Sequence, residues 1–398
     1  MKMLQVYPYD ANRNILGQVR HTKWLSLVLL VGSVLLLALV GPRWGIDFQG
    51  GTEVILKFED TVSDDEVRQV AEAIDLEAPL VQRFGSPEDN QFMVQTADVA
   101  VVSDHHYELI MEGLVALGDH EQTYPMAEQP DRMEVRYTAP KTHDEIRQVV
   151  LDAGLEHVDI EDRGQRDEHW YTLTFQDLQR HIRAGFSEHF GERFNERGGI
   201  QRLESVGPRA GEQLRNDGMV AMIVALIAIL IYIWFRFDIR YSPGAVAALA
   251  HDITIALGLF VILDIEFSLP IVAALLTIIG YSLNDTIVVF DRIRENLDFA
   301  GERGIKEVAN EAINQTMSRT LITSLTTFGA VTCIAIFATG LIEDFAMALM
   351  VGVAVGTYSS VFVASPVMLK MDAYLKERQR TQALLDQQEE EPDPSARV

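Results

Sequence analysis

The sequence predicts a polytopic α-helical membrane protein with six transmembrane helices and an α+β (ferredoxin-like) domain between helices 1 and 2. Three observations lead to this fold class. Six apolar segments approach the roughly 20 residues that a helix needs to cross a bilayer. A long polar stretch, residues 42–217, separates the first segment from the others. Within that stretch a strand–helix–strand–strand pattern occurs twice, which indicates a duplicated βαββ module.

The apolar segments must be helical, because lipid offers no partner for unpaired backbone groups. They are predicted at residues 22–41, 218–236, 243–263, 268–290, 320–340 and 345–369. The first segment is also compatible with a cleaved signal peptide. However, a polar stretch precedes it, and Gly41-Pro42-Arg43-Trp44 follows it in place of a small-residue cleavage site. We therefore expect it to be retained as a membrane anchor.

Lysine and arginine residues predict the orientation of the chain, since they concentrate in cytoplasmic loops. They occur in residues 1–21, between spans two and three, and in the loop predicted at 291–319. The turns at 264–266 and 341–344 contain none. We therefore expect both termini to be cytoplasmic and the domain at 42–217 to be extracytoplasmic.

The polar stretch contains an internal repeat. The run DEVRQV at 65–70 aligns without gaps on DEIRQV at 144–149, and a strand-like run precedes each of them. Two further strand candidates follow each copy, at 80–84 with 92–96 and at 158–162 with 171–175. The pattern predicts βαββ modules at about 53–98 and 132–176, which are the ingredients of a ferredoxin-like domain.

Helix signals accompany both copies of the repeat. Ser63 and Thr142 each stand three residues before a glutamate, which predicts N-caps in capping boxes. Residues 103–118 and 176–196 show the periodicity of additional amphipathic helices.

The formal net charge of −25 at pH 7 lies mostly in residues 42–217 and in the C-terminal residues 370–398. We expect those C-terminal residues to form a cytoplasmic, largely disordered tail. The acidity argues against nucleic acid as a partner. It is compatible with attraction of basic segments and with an ordinary solvated surface.

The domain at 42–217 contains no P-loop, Gly-x-Gly-x-x-Gly, His-Glu-x-x-His or cysteine-pair motif. We therefore predict neither an enzyme nor a resident cofactor or metal. The single cysteine, Cys333, lies in the fifth apolar segment, so no intrachain disulfide braces the domain.

Charged residues inside the apolar segments are the candidate functional residues. Asp285 lies deep in the fourth segment, where an ionisable side chain costs about 2.5–3.5 kcal/mol on insertion scales. Asp252 in the third segment and Arg319 at the start of the fifth fall at a similar depth along their helices. Polar residues at helical spacing accompany these charges: Tyr281, Asn284 and Thr323. We expect these polar faces to meet each other or to line a water-filled seam.

Two interpretations of Asp285 and Arg319 remain open from the residues alone. In the first, Asp285 is an ion carrier: burial favours its neutral form, a nearby guanidinium favours its charged form, and movement of Arg319 loads and unloads a proton. Arg319 keeps its own proton throughout. In the second, the two residues form a static ion pair, with Arg319 reaching towards the membrane surface. The same alternatives apply to Asp252, which follows His251.

Six motifs occur in a specific order on the predicted spans and loops. They are GIDFQGGT at 45–52, ESVGP at 204–208, AHD at 250–252, GYSLNDTIVVFDRIREN at 280–296, SRTLITS at 318–324 and GTYSS at 356–360. In these motifs the chain resembles the SecF family, the six-span subunits of the bacterial SecD/SecF protein-export complex in the resistance–nodulation–division transporter superfamily. The resemblance covers residues 24–369 and is weakest in the middle of the polar stretch.

The resemblance implies a membrane subunit that, with SecD, uses the proton motive force to promote translocation and release of secreted polypeptides through the SecYEG channel. It also implies location in the bacterial inner membrane, among lipid, and a role of Asp285 and Arg319 in proton conduction. One feature departs from the family pattern. Its members usually carry a compact outer domain, whereas residues 42–217 have room for two modules. The second module looks added, and its ligand is not implied by the resemblance.

Two other functions stay open beside the export subunit. One is a component of a small-molecule or lipid efflux pump of the same superfamily, although such pumps tend to carry two outer loops in one chain. The other is a non-transporting membrane scaffold whose charges are structural. The residues also leave the coupling ion open, because a carboxylate with amide and hydroxyl oxygens suits H⁺ or Na⁺.

Overall fold

The computed structural model describes residues 7–8, 13–98, 104–125, 132–155, 158–163, 169–175, 178–195 and 198–390. The chain separates into two compact units, Met1–Gly45 with Arg215–Val398, and Ile46–Leu214. The first unit contains the apolar helices and the second contains the sheets.

Helix α1 (Val19–Leu39) ends just before Gly41, a residue type that commonly terminates helices. The N–H groups of Val40 and Gly41 both donate to the carbonyl of Leu36, and Gly41 takes a φ of +77°. Glycine adopts this left-handed conformation without a steric penalty, and Pro42 cannot continue a helix.

The α+β unit contains thirteen α-helices and β-strands in its described residues, besides two short 3-10 turns, Pro87–Asp89 and Gly191–Arg193. In chain order they are α2 (Ile46–Gln49), β1 (Gly51–Lys57), α3 (Asp64–Ala73), β2 (Leu80–Phe84), β3 (Gln91–Thr96), α4 (Asp104–Ala116), β4 (His120–Pro125), β5 (Arg132–Tyr137), α5 (His143–Asp152), β6 (Val158–Arg163), β7 (Trp170–Phe175), α6 (Leu178–Phe190) and β8 (Ile200–Val206). They form two four-stranded antiparallel sheets, in the orders β2-β3-β1-β8 and β4-β5-β7-β6.

The two sheets have the same strand order, which is that of a ferredoxin-like module. β1-α3-β2-β3 corresponds to β5-α5-β6-β7, so the predicted duplication is confirmed. β8 completes the first sheet beside β1, and β4 completes the second beside β5. The second module, α4 to β7, is inserted in the sequence between β3 and α6. In the second module, α4 and β4 come before the βαββ unit in the sequence. In the first module, the corresponding helix and strand, α6 and β8, come after the βαββ unit.

Each module has its own apolar core. In the first, Ile182 and Phe186 of α6 pack with residues of α3 and the sheet, including Val67 and Phe92. In the second, Ile110 of α4 packs in the same way with residues of α5 and its sheet. The two amphipathic helices expected at 103–118 and 176–196 are therefore the second helices of the two modules.

Both predicted capping boxes are present. The Ser63 hydroxyl accepts from the N–H of Glu66, and the Glu66 carboxylate accepts from the N–H of Ser63. Thr142 and Glu145 make the same pair of bonds at the start of α5. Each box satisfies N–H groups that a helix start leaves without partners.

The remaining helices follow the α+β unit. They are α7 (Pro208–Arg236), α8 (Ser242–Ile262), α9 (Leu269–Asp298), α10 (Ile305–Phe337), α11 (Leu341–Ser359) and α12 (Ser365–Glu390), with a π-helical turn, Ser360–Ala364, between the last two. Six helical segments in the described part of the chain are long and apolar enough to cross a membrane, which confirms the predicted number.

Three helices extend beyond the predicted spans, and the first of them, α7, begins at Pro208, ten residues before the span predicted at 218–236. α9 continues to Asp298 and α10 begins at Ile305, so the connection is residues 299–304 rather than the predicted loop at 291–319. The charged residues of this region hid an amphipathic pattern. Ile293, Ala309 and Ala312 are buried in the helix core, and they stabilise the extensions by packing.

The C-terminal region also differs from the expectation. Residues 370–390 belong to α12, where a largely disordered tail was predicted, and residues 391–398 lie outside the described part of the chain. The sequence from Lys370 to Glu390 is rich in strong helix formers such as Lys, Glu, Arg, Gln and Leu. Lys376 also pairs with Asp372 one turn earlier, at 2.8 Å.

Small residues allow the membrane helices to approach closely. Gly352, Gly356, Ser360 and Ala364 recur every four residues and are all buried. A Cβ on Gly352 would lie 2.2 Å from a side-chain carbon of Ile278 in α9. A Cβ on Gly244 of α8 would lie 2.5 Å from the backbone oxygen of Ala364. This stripe is therefore a packing surface against α8 and α9.

Candidate functional site

The two acids of the predicted site are buried between helices. Asp252 of α8 is 1% exposed and Asp285 of α9 is 2% exposed. α9 packs against α8, α10 and α11, so Asp285 lies on a helix that three other helices surround. A buried charge in this setting requires compensation by a partner, a proton or an ion.

Asp285 has an incompletely satisfied carboxyl group. Its Oδ2 atom is buried and has no hydrogen-bond partner among the described residues. From α10, the guanidinium of Arg319 acts on this carboxyl group through its charge, and the hydroxyl of Ser324 acts on it as a hydrogen-bond donor. Four buried hydroxyls also have no hydrogen-bond partner within the described chain: those of Ser268, Tyr281, Thr286 and Thr320. Buried groups of this kind are rare, and they commonly mark sites of water, ion or proton binding.

Arg319 does not form a direct ion pair with Asp285. Within the described residues no carboxylate lies within 4.0 Å of its guanidinium, and the residue is exposed. The structure therefore places Arg319 near Asp285 without contact, at an exposed face of the bundle. Thr323 lies one turn further along α10, where its hydroxyl donates to the carbonyls of Arg319 and Thr320 at 3.1 and 3.0 Å. It is satisfied within its own helix.

Asn284 points away from Asp285. It is exposed although its neighbour is buried, because successive residues in a helix are rotated by about 100°. Tyr281, one turn before Asp285, is partly buried with its hydroxyl inside. Of the predicted polar face, Tyr281 and Asp285 therefore lie inside the bundle, and Asn284 lies at its surface.

Asp252 has a different environment from Asp285. Its Oδ2 atom accepts hydrogen bonds from Ser282 of α9 at 2.5 Å and from Ser359 of α11 at 2.6 Å. Its Oδ1 atom lies 2.8 Å from Nδ1 of His251. Asp252 thus joins α8, α9 and α11 through one saturated carboxyl group. The structure does not bring it into contact with Arg319, and the expected meeting of all three charges is not observed.

His251 extends this cluster towards α1. Its ring stacks on Tyr358 with centroids 6.1 Å apart and an angle of 24° between the planes. The Tyr358 hydroxyl donates to the carbonyl of Thr22 at 2.8 Å and lies 2.9 Å from the Ser26 hydroxyl. The serines and Tyr358 were not predicted as site residues. Their signal was present in the motifs at 280–296 and 356–360, where hydroxyls recur beside small residues.

Matches to family models cover most of the membrane helices and the start of the α+β unit. Residues 188–374 match the model described as protein export membrane protein SecD/SecF, C-terminal. Residues 35–62 match the SecD/SecF GG motif.

Individual relatives agree with these matches. Protein translocase subunit SecF of Koribacter versatilis is 34% identical over 388 residues, covering 90% of this chain and 92% of the relative. SecF of Escherichia coli O157:H7 is 30% identical over 362 residues, covering 90% and 88%.

A solved structure agrees with the fold. The crystal structure of SecDF, a translocon-associated membrane protein from Thermus thermophilus, matches with a TM-score of 0.65 and 27% identity. The match covers 92% of this chain and 40% of that longer one. The resemblance predicted from the motifs is confirmed: this multi-pass inner-membrane protein belongs to the SecF family of protein translocase subunits.

Proposed function

We propose that this chain, together with SecD, uses the proton motive force to promote translocation and release of secreted polypeptides. The observation that carries the proposal is Asp285, a buried carboxyl group with an unsatisfied oxygen and a cation nearby on a different helix. The relatives named as translocase subunits support the export role. The similarity to a SecDF chain, of which this chain covers 40%, supports SecD as the partner that completes the assembly.

The proposed cycle depends on the distance between Asp285 and Arg319. With Arg319 away, a buried carboxylate lacks compensation and takes up a proton. When Arg319 approaches, its guanidinium favours the carboxylate and the proton leaves. Each proton that crosses the field releases about 2.3 kcal/mol per 100 mV, which is comparable with the energies that separate two helix packings.

The exposed position of Arg319 supports this scheme. The side chain has no ion pair in the described structure that would have to break before it moves. Tyr281 and Thr323 lie one turn from Asp285 and Arg319, respectively, and we assign them to the path of the ion. Asn284, on the exposed face of α9, is assigned to the part of that path that the partner completes.

The remaining parts of the proposal concern topology and partners. The distribution of Lys and Arg supports cytoplasmic termini and an extracytoplasmic α+β domain. In that orientation the domain is on the side where a translocating polypeptide leaves the SecYEG channel. Apart from the guanidinium of Arg319, the polar groups proposed for the site offer oxygen atoms to the ion. Such a site suits H⁺ and also Na⁺.

Ion flux in vesicles that contain this chain and SecD tests the proposal. Asp285→Asn should abolish gradient-driven flux and gradient-stimulated export while insertion and SecD association persist. Asp285→Glu should retain part of both activities, because it keeps a carboxyl group. Asp298→Asn is the matched control, since it removes an exposed acid from the same helix.

Varying pH and Na⁺ separately identifies the ion. Flux that follows the pH gradient alone supports H⁺, and flux that requires Na⁺ replaces H⁺ in the proposal. Equal flux in the wild type and Asp285→Asn, with export still dependent on the gradient, would make Asp285 a structural residue.

A further inference from the structure

The residues that follow α1 form a small two-segment assembly with the turn between α8 and α9. The N–H of Phe267 donates to the carbonyl of Arg43 at 2.7 Å, and the N–H of Gly45 donates to the carbonyl of Phe267 at 3.0 Å. Trp44 and Phe267 thereby form a parallel β-bridge outside the sheets. We call residues 43–45 and 264–268 the connector clamp.

Side chains reinforce the connector clamp. The Trp44 and Phe267 rings meet edge to face with centroids 5.2 Å apart. Arg43 binds two carboxylates: Nη1 lies 2.8 Å from Asp264, and Nη2 lies 3.4 Å from Glu266. Glu266 is 4% exposed, so this ion pair is shielded from solvent on one side. Removing one partner of such a pair leaves a buried charge, which destabilises strongly.

Gly45 allows the side chain of Glu266 to approach the backbone closely. A Cβ at this position would lie 2.7 Å from Oε1 of Glu266. Ile265 and Ser268 of the same turn are 3% and 2% exposed, so the turn is packed into the bundle. Asp344 in the first turn of α11 faces the backbone of Glu266. The connector clamp therefore combines main-chain, aromatic and ionic contacts, more than a surface loop requires.

The connector clamp occupies a specific place in the sequence. Its second segment ends at Ser268, directly before α9 begins at Leu269, and its first segment ends at Gly45, directly before α2 begins at Ile46. α2 is the first element of the α+β unit. Asp285 lies sixteen residues into the same continuous helix, roughly 24 Å along its axis. A helix of this kind moves as a rigid element over such a distance.

We propose that the connector clamp transmits the movement of α9 to the α+β domain, with Arg43, Trp44 and Glu266 as positioning residues. This inference rests on the proposed function, in which ion binding at Asp285 shifts α9. The clamp ties the start of α9 to the chain that enters the domain, so displacement of the helix pulls on that chain. The clamp stays closed throughout the cycle, because it transmits force only while its contacts persist.

Two kinds of variant test this inference in vesicles that contain the full chain and SecD. The variant that combines Arg43→Ala and Trp44→Ala with Glu266→Gln opens the clamp, and the glutamine leaves no buried charge without its partner. It should keep Asp285-dependent ion flux near the wild-type level and lower gradient-stimulated export by about tenfold, the scale of a lost coupling between sites. Arg147→Ala is the matched control, since it breaks the exposed pair with Asp144 at 3.1 Å, away from the clamp. It should change neither activity.

The second variant closes the clamp covalently. Trp44→Cys with Phe267→Cys, in a Cys333→Ser background, places a disulfide across the β-bridge. Export in the oxidised state should equal export by the same protein after reduction. Export near the wild-type level by the alanine variant would overturn the inference. So would loss of export on oxidation with flux intact, because the clamp would then have to open.

The two proposals fail in different ways. If flux does not depend on Asp285, the proposed ion carrier is wrong, and the clamp is judged by export of the alanine and disulfide variants alone. If flux depends on Asp285 but the alanine variant exports normally, only the clamp inference is wrong. If the alanine variant fails to insert or to bind SecD, Trp44→Ala alone, which keeps both ion pairs of Arg43, takes its place: lowered export with intact flux supports the inference, and wild-type export overturns it.

Discussion

The hydroxyl of Ser282 donates a 2.5 Å hydrogen bond to Oδ2 of Asp252, which fixes α9 to α8 one turn before Asp285. Ser359 donates to the same oxygen from α11 at 2.6 Å. The two buried acids of the bundle therefore have opposite environments. Asp252 accepts bonds on both oxygens, whereas one oxygen of Asp285 has no partner in the described structure. On this contrast we base the proposal that Asp285 binds the ion and that Asp252 serves the packing of the helices.

Asp252→Asn should impair the protein less than Asp285→Asn does. The side-chain oxygen of the asparagine can still accept hydrogen bonds from Ser282 and Ser359. Its NH₂ group faces Nδ1 of His251, which can accept a hydrogen bond when the imidazole carries its proton on Nε2. We expect gradient-driven flux to fall several-fold with an unchanged pH profile. Asp252→Ala should be worse, because it leaves buried donors unpaired at about 1–3 kcal/mol each. A complete loss of flux in Asp252→Asn, with normal folding, would make Asp252 a second carrier.

Arg319→Lys should lower flux without lowering stability. Lysine keeps the charge but lacks the planar fork of the guanidinium, so the interaction with a carboxylate in the cycle weakens. The described structure contains no ion pair of Arg319 that the change would break, so the unfolding midpoint in detergent should stay within experimental error. A clear drop in that midpoint would support the static ion pair instead. Lys306→Arg is a control for a basic substitution elsewhere on α10.

Gly244→Ala should disrupt the packing of α8 against the π-helical turn. The added Cβ would meet a backbone oxygen at 2.5 Å, and a backbone cannot move aside as a side chain does. Overpacking of this kind costs about 1–3 kcal/mol. Gly280→Ala is the matched control, because nothing lies within 4 Å of its added Cβ. Thermal unfolding of both variants in detergent checks the prediction, and equal midpoints would contradict it.

The fold class was predictable because two signals are local. Apolar length identifies a membrane helix, and the gapless match of 65–70 with 144–149 identifies the duplicated βαββ unit. The fourth strand of each sheet was missed. β4 and β8 lie at sheet edges, where exposed residues such as Glu121 and Glu204 weaken the alternation that reveals a strand. The parts of the helices that extend beyond the apolar segments were missed for a related reason. Charged residues there mask the periodic pattern of the apolar residues that are buried.

The site was predictable only in part. An acid inside an apolar segment is visible in the sequence, so Asp252 and Asp285 were both found. Which of them is saturated depends on hydroxyls from other helices, such as Ser359, and no periodicity along one helix contains that information. Packing likewise decides which side of a helix is buried, and for this reason Asn284 is exposed although its neighbour Asp285 is buried.

The capping boxes should give the α+β unit a specific acid sensitivity. Hydrogen bonds from Ser63, first from its backbone N–H and then from its hydroxyl, hold the pKa of Glu66 below its ordinary value of 4.5. Bonds from Thr142 lower the pKa of Glu145 in the same way. A lowered pKa in the folded state stabilises that state above pH 4.5, and the contribution is lost as pH falls through the folded value.

Amide hydrogen exchange measures this effect on each helix. Between pH 7 and pH 3, opening of α3 should become easier, and Glu66→Gln should remove most of that pH dependence from α3 but not from α5. Ser63→Ala should weaken α3 at neutral pH by about 1 kcal/mol, as for other N-caps. An unchanged pH dependence in Glu66→Gln would show that the box does not control the helix start.

Removal of the second module should leave the first module folded, provided that the whole module is removed. Among the described residues, the buried core of the first lies within 54–94 and 178–194, with Ile200 and Leu203 packed against it, and the buried core of the second lies within 110–175. Replacing residues 99–175 with a short Gly/Ser linker therefore removes one complete core. Deleting only 133–175 would strip β5, α5, β6 and β7 from α4 and β4 and expose the apolar side of α4, including Ile110.

We expect the first deletion to insert normally, resist protease and keep Asp285-dependent flux, with export altered according to the substrate. We expect the second to be degraded. Equal protease sensitivity of both deletions would show that the modules fold as one unit.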